Sequence, residues 1–334
     1  MLTERQNFLE TIKYGNPDRL VVQWGPMIPI MNDPCTKFVR GNRVKGTNSI
    51  DVWGTHIHWP EDQFAAMPHV TADTKVLPDI TKWRECIKVP DITSVGENGD
   101  WSEALALIDS VDRNENMAMA FMGTGMFEQL HYLMGFEDTL MNFLLEPEAM
   151  DELLEVICEF RCAFATQLVK NLKPDAILSH DDWGSKTQLF LPPDIWRQFF
   201  KERYRRFYKI FKDAGVVVIH HADCHCEDIV EDMAEIGIDV WQGAICQNDI
   251  KKCQKLVHGR MAFMGGIDTA LVDRGDATQE EIRAEVRRAC DEYVPGGGFI
   301  ANHPSGLKNS AIYPGVDATI DDEIRSYSKK FFPN

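Results

Sequence analysis

From residue 117 onward the chain repeats one unit: a short apolar run, a polar or glycine-rich turn, then an amphipathic helix. The runs 117–122, 176–179, 216–219, 238–241, 261–264 and 297–301 end in Gly123-Thr124-Gly125, His180-Asp181-Asp182-Trp183-Gly184, His220-His221-Ala222-Asp223, Gln242-Gly243, Gly265-Gly266 and Asn302-His303-Pro304-Ser305-Gly306. Their near-continuous hydrophobicity suits strands covered on both faces, which is the condition of a parallel sheet. The intervening segments carry helix signals. Phe127, Leu130, His131 and Met134 recur at i, i+3, i+4 and i+7. Pro147 opens a helix to about residue 171, and further helices are expected over 195–214 and 227–236. Thr278 and Glu281 form a capping box before a buried face of Ile282, Val286, Ala289, Cys290 and Tyr293. Residues 20–24 read as a first strand, and the alternating stretch 51–59 supplies another. About eight strands with helices between most of them predict a (β/α)8 TIM barrel spanning 1–334 as one domain, with an irregular, loop-rich region at about 25–115. The competing open dinucleotide-binding sheet lacks a Gly-x-Gly-x-x-Gly after the first strand.

Charge and composition narrow the partners. There are 52 acidic against 35 basic residues, a net charge of −17, which opposes nucleic acid and anionic membranes as main partners. No apolar run approaches the roughly 18–20 residues of a membrane span. Residues 1–7 hold Glu4 and Arg5 and open a helix instead of a signal peptide. Nine cysteines, an odd number in a long chain, fit free thiols in a reducing cytoplasm.

In parallel α/β proteins the carboxyl ends of the strands build the active site. The richest end here follows Val216-Val217-Val218-Ile219, where six possible metal ligands fall within seven positions. Alternate strand residues face the same way, so His221 and Asp223 share one face and His220 and Ala222 the other. A histidine with a carboxylate suits a divalent ion such as zinc, with an open position for substrate or water. A buried histidine pair, with Asp223 as a helix cap, explains the same residues without a metal. Cys224 is a weaker ligand candidate, since it can equally lie on the first turn of the next helix. Asp181 and Asp182 point to opposite sides, so one at most faces the site directly. With His220 and His303 they are the candidates for acid–base work. His303 follows the last strand and is a third ligand, a proton donor or a loop residue. Trp24, Trp53, Trp183, Gln242 and Asn302 lie at or near strand ends and are the candidates for substrate contact.

Several stretches in this order resemble the uroporphyrinogen decarboxylase superfamily. They are Arg5-Gln6-Asn7-Phe8 with Pro17-Asp18-Arg19, Asp51-Val52-Trp53-Gly54, Phe127-Glu128-Gln129-Leu130 leading to Gly135-Phe136-Glu137, Asp181-Asp182-Trp183-Gly184, Gly237-Ile238-Asp239 and Gly265-Gly266-Ile267-Asp268. The resemblance implies a (β/α)8 barrel and a homodimer. The decarboxylases of that superfamily carry an arginine-rich motif that grips porphyrin carboxylates, whereas residues 24–44 hold only Arg40 and Arg43. Its cobamide-dependent methyltransferases hold zinc with a His-x-Cys and a later Cys. A gap-free reading puts His221 on that histidine, but Asp223 and Ser305 on the cysteines, with His303 two residues before Ser305.

The remaining fit resembles the methyltransferase components of O-demethylase systems. It implies transfer of a methyl group from a methoxylated aromatic to the Co(I) corrinoid of a partner protein. On this reading zinc lies on His221, Asp223 and His303, a proton comes from Asp181 or Asp182, and region 25–115 forms part of the corrinoid protein's dock. The alternatives are a decarboxylase of a tetrapyrrole or small aromatic acid, a methylamine or betaine methyltransferase, and a barrel that binds a corrinoid protein or tetrapyrrole without turnover.

Overall fold

Seven parallel strands hydrogen-bond in chain order into one sheet: β1 (Met27–Ile30), β5 (Met117–Met122), β6 (Ala176–His180), β7 (Val217–His221), β8 (Val240–Ala244), β9 (Ala262–Gly266) and β10 (Phe299–Asn302). The computed structural model describes residues 1–334 except Asn42, Phe64, Ser305, Leu307, Lys308, Asn309 and Asn334. Every strand sends at least one side chain into a single interior cluster, among them Met27, Met119, Leu178, Ile219, Val240, Met264 and Ile300. Phe8 and Ile12 of the Glu4–Ile12 helix enter the same cluster. That helix starts on a capping box between Thr3 and Gln6, as the sequence predicts. The alternate residues Ala118, Ala120, Ile177, Val218 and Trp241 face outward into the larger core under the helices. This in–out alternation is that of a barrel wall.

Residues 20–24 do not form the expected first strand. Gln23 has φ +37 and Gly25 φ +45, so the segment turns where a strand would stay extended. It nevertheless lies where the eighth stave belongs. Val21 and Trp24 enter the barrel interior. Gln23 Oε1 accepts hydrogen bonds from Asn302 Nδ2 at 3.1 Å and from the His303 N–H at 3.2 Å. The carbonyl of Pro26 accepts from the Met117 N–H at 2.9 Å. A side chain, not a strand ladder, joins the last strand to the start of the chain.

The stretch 51–59 is also placed differently. Its strand, β3 (His56–Trp59), pairs antiparallel with β2 (Thr47–Ile50) and β4 (Met67–Pro68) in a separate small sheet. Its alternation reflects one covered face: Ile57 is buried while His56 and His58 are half-buried. The helix expected over 195–214 is broken into Pro193–Trp196, a wide π-type turn Arg197–Lys201, and Glu202–Asp213. The segment expected as one helix over 227–236 is a 3-10 turn, Glu227–Ile229, followed by Val230–Glu235. Among the described residues no helix is long and apolar enough to cross a membrane.

One glycine aims a site residue. The β8–β9 register shifts between Gln242 and Ala244. Gly243 there has φ +87, and a Cβ would stand 2.9 Å from the Ala222 carbonyl oxygen. Gly243→Ala is expected to cost roughly 1–3 kcal/mol through backbone strain, read as a lower urea midpoint at unchanged slope.

Candidate active site

β6 and β7 pair with His180 opposite His221. Ala176 and Leu178 on one strand, and Ile219 on the other, point into the barrel. Alternation therefore carries His180 and His221 onto the inner face, where the strands end at the carboxyl mouth. Their rings stack with centroids 4.6 Å apart and planes 13° from parallel. Asp182, two residues beyond His180, returns to the same side. One ligand atom from each of His180, Asp182 and His221 lies within 4.8 Å of the others.

Each imidazole is held through its Nδ1. Glu128 Oε2 lies 2.8 Å from His180 Nδ1, and Gln242 Oε1 bonds His221 Nδ1. Both partners are acceptors, so both histidines carry hydrogen on Nδ1 and present Nε2 to the mouth. Gln242 is oriented in turn. Its Nε2 donates to Asn302 Oδ1 at 3.1 Å and to the Pro304 carbonyl at 3.3 Å. Asn302 Nδ2 donates to Gln23 Oε1, and Gln23 Nε2 donates to Asp321 Oδ1 at 2.8 Å. The relay thus runs from His221 through the barrel's closing joint to a carboxylate on the C-terminal helix Val316–Tyr327.

The electrostatics separate the two histidines. Burial and the nearby His180 push His221 down to about 4, so it is neutral at physiological pH. Burial also works against the His180 charge, but the carboxylates of Glu128 and Asp182 outweigh it and raise His180 to about 10. Burial lifts Asp182 to about 6 although His180 pulls it down. Its Oδ1 accepts from the Asp223 N–H at 3.0 Å. Two imidazole nitrogens and a carboxylate, with their outer atoms already satisfied, form a donor set that fits a divalent transition metal.

Asp181, between the two inward residues, turns outward and is fully buried. Its carboxylate accepts from the Phe127 and Glu128 N–H groups at 3.0 and 2.9 Å, from Trp183 Nε1 at 2.9 Å, and from the Tyr204 hydroxyl. It satisfies orphan donors at the start of the Met126–Met134 helix. A Cβ on Gly125 would collide with this carboxyl group, so only glycine lets it dock there. His220 also faces outward, stacked on Trp183 at 4.2 Å, with Nδ1 2.7 Å from the Tyr208 hydroxyl. Asp181, His220 and Trp183 therefore belong to the packing behind the strands and do not reach the mouth.

The other sequence-derived candidates are dispersed. Trp24 fills the barrel interior, and Trp53 packs edge-on against Phe160 at 5.0 Å. Gln242 holds His221, and Asn302 holds Gln242. Asp223 supplies its backbone N–H to Asp182, and its carboxylate lies outside the three-residue cluster. Cys224 is buried with Sγ 3.4 Å from Cys226 Sγ. His303 is buried with Nε2 3.6 Å from Asp273 Oδ2, apart from the His180–Asp182–His221 cluster. Ser305, the position matched to a later zinc cysteine, lies outside the described residues.

A cavity of about 370 Å3 opens onto His180, Asp182 and Glu128. Phe121, Tyr132 and Phe164 give it aromatic walls, and Arg40 and Arg43 line it as well. Sequence reasoning missed His180, Glu128, Tyr132 and the placement of both arginines. For His180 a signal existed: it continues the inward row of residues 176 and 178. For Arg40 and Arg43 there was none, because the Pro34–Arg40 helix lies in the region without periodicity.

Known proteins share this architecture. A solved structure, a methyltransferase from Methanosarcina mazei, superposes over 98% of this chain and 99% of that one, with a TM-score of 0.66 and 17% identity. At that identity the likeness speaks for the fold. A uroporphyrinogen decarboxylase from Thioalkalivibrio sulfidiphilus (strain HL-EbGR7) is 25% identical over 197 residues, 55% of this chain and 51% of the relative. The match thus spans about half the length of that curated relative. Residues 51–315 match the family described as uroporphyrinogen decarboxylase (URO-D), a stretch that holds the whole His180–Asp182–His221 constellation, and the chain belongs to that family.

Proposed function

We propose that the protein is a methyltransferase that takes a methyl group from an aryl methyl ether and passes it to the Co(I) corrinoid of a partner protein. The observation that carries this reading is the convergence of His180, Asp182 and His221 beside an aromatic-walled pocket. An ether oxygen leaves as a phenolate, whose parent acid has a pKa near roughly 10, so its departure requires electrophilic help. A zinc or similar ion held by His180, Asp182 and His221 would supply a Lewis acid for that oxygen.

The chain's own residues prepare the site. Glu128 and Gln242 hold both imidazoles by Nδ1 and turn each Nε2 to the mouth, where an ion would take the place of the Nε2 proton that His180 otherwise keeps at neutral pH. Asp182, held near 6, is a carboxylate at neutral pH. Phe121, Tyr132 and Phe164 exclude water from one side of the ring and orient it. Asp181 is not the proton source in this scheme, because its lone pairs are committed to four donors behind the strand.

The test is a cobalt assay. Reduced corrinoid protein with a panel of aryl methyl ethers should give methyl-cobalt only with the enzyme present. No turnover across the panel sinks the reading. Gln242→Ala, which frees the His221 ring to rotate, is expected to weaken metal affinity about 10–100-fold, measured by competition with a chromogenic chelator. A second reading, decarboxylation of a small aromatic acid, is favoured by Arg40 and Arg43 in the pocket. It predicts carbon dioxide release without any corrinoid.

A further inference from the structure

At the end of the barrel where the strands begin, a recess of about 730 Å3 opens beside the helix Glu4–Ile12. Phe8 and Ile12 of that helix plug the barrel interior. Six cations line the recess: Arg5, Lys13, Arg113, Lys173, Lys212 and Arg260. Arg5 and Lys13 belong to the plugging helix and its end. The others lie just before β5, β6, β7 and β9. The chain that gathers them has a net charge of −17.

Two carboxylates, Asp175 and Asp239, share the lining, and both are committed. Asp175 Oδ2 accepts from the Ala118 N–H at 2.9 Å, and Asp239 Oδ2 from the Val218 N–H at 2.8 Å, so each fastens a neighbouring strand. The other oxygen of Asp175 meets two guanidiniums, Arg5 at 2.9 Å and Arg113 at 3.3 Å. Asp239 Oδ1 meets Lys212 at 2.5 Å. Arg260 reaches Glu231 at 3.6 Å, outside the recess. Among the described residues no carboxylate comes within ion-pair distance of Lys13 or Lys173.

Helix ends explain part of this gathering. Lys13 and Lys173 follow the C-termini of Glu4–Ile12 and Pro147–Leu172, and Lys212 lies in the last turn of Glu202–Asp213. There a cation meets the negative end of the macrodipole. Arg5 has no such reason, because it sits in the first turn of its helix, at the positive end. Arg113 and Arg260 lie in turns. Like charges drawn into one recess repel, and an anion seated among them offsets that cost. A single phosphate touches only a few of six such groups. A chain of phosphates presents oxygens along its length, to ammoniums as point charges and to guanidiniums as forks.

We infer that this recess binds an oligophosphate, an anion of at least two linked phosphates, at the end of the barrel opposite the mouth. Its volume is that of a ligand pocket. Leu9, Met117, Pro174 and Val216 give it apolar walls that a nucleoside on the phosphates would meet. The inference requires neither the metal nor the proposed methyl transfer.

Titration calorimetry on the full chain at about 150 mM salt, which screens diffuse attraction, tests it. The probes are inorganic triphosphate, ATP, orthophosphate and adenosine. The variants are Lys13→Gln and Lys173→Asn, both at exposed positions. Asn is chosen because residue 173 has φ +47, which Asn tolerates. The control is Lys209→Gln, an exposed lysine paired with Asp213 on the outer helix. Triphosphate is expected to bind at least 10-fold more tightly than orthophosphate. Lys13→Gln and Lys173→Asn should each weaken it about 5–20-fold, and Lys209→Gln by less than about 2-fold. Triphosphate should also raise the melting midpoint of wild type more than that of either variant. If one variant failed to fold, the other would decide.

ATP bound at least 10-fold more tightly than triphosphate would assign the apolar walls to a nucleoside. ATP bound no more tightly would assign the site to the phosphate chain alone, and either result supports the inference. Absence of binding by both at about 1 mM, or adenosine bound as tightly as ATP, overturns it. Equal weakening by Lys13→Gln and Lys209→Gln does the same. So does lowered stability of the two lysine variants with triphosphate affinity unchanged, which would leave these lysines as helix caps. None of these outcomes bears on methyl transfer, which the cobalt assay reads separately.

Discussion

His221→Ala and Asp182→Asn should each abolish stoichiometric metal binding and lower methyl transfer by about 10²–10⁴-fold, a loss of the size expected when electrophilic assistance to the leaving oxygen disappears. Their cost in stability should differ. Asp182→Asn keeps an acceptor for the Asp223 N–H and removes only a carboxylate that burial already disfavours, so folding should change little. His221→Ala leaves a gap in the stack with His180 and frees the Gln242 acceptor, which costs roughly 1–3 kcal/mol. Mass spectrometry of metal content on protein purified without chelator, beside a urea melt, reads both effects. Wild-type metal content in both variants would remove this constellation from the mechanism.

The neighbouring aspartate should behave in the opposite way. Asp181→Ala strips the acceptor from two helix N–H groups, an indole and a phenol, all buried. Leaving such donors unpaired in the core costs on the order of 3–5 kcal/mol, which should appear as a large fall in the unfolding midpoint and in soluble yield. Metal content per folded chain should be nearly unchanged, because Asp181 faces away from the mouth. Asp181→Asn should be milder, since an amide oxygen at the Oδ2 position still accepts from the Phe127 N–H, Trp183 Nε1 and the Tyr204 hydroxyl, and the amide hydrogens then oppose only the Glu128 N–H. Two adjacent aspartates would then separate cleanly, one by stability and one by metal. If Asp181→Ala instead lost the metal at full stability, the inward–outward assignment of β6 would be wrong.

The barrel was legible because its signal is periodic. Six of the seven strands of the large sheet overlap the apolar runs, and the alternation rule that put His221 and His220 on opposite faces holds in the structure. The same rule, applied to residues 176, 178 and 180, points to His180, which was not drawn from it. The parts that were illegible depend on backbone angles and on non-periodic chain. The turn at Gln23 reads as a strand by composition, since nothing in Leu20-Val21-Val22-Gln23-Trp24 announces a positive φ. The Pro34–Arg40 helix and the β2–β3–β4 sheet come from a region whose local patterns do not say which mouth they cover, so the pocket's arginines could not be assigned from sequence. Gln242 and Asn302 have partners that sequence alone does not announce: the His221 imidazole takes Gln242 Oε1, and the Gln242 and Gln23 side chains take Asn302.

The bond that closes the barrel is also a link in the chain that orients His221. Gln23 meets Asn302, Asn302 meets Gln242, and Gln242 meets the imidazole. A chain whose first and last segments have not yet come together thus lacks not only a closed wall but a correctly set histidine. Ligand geometry becomes a report on completed assembly: a nascent or partly opened chain would grip a metal poorly, and the ion, once captured, would favour the closed form by mass action.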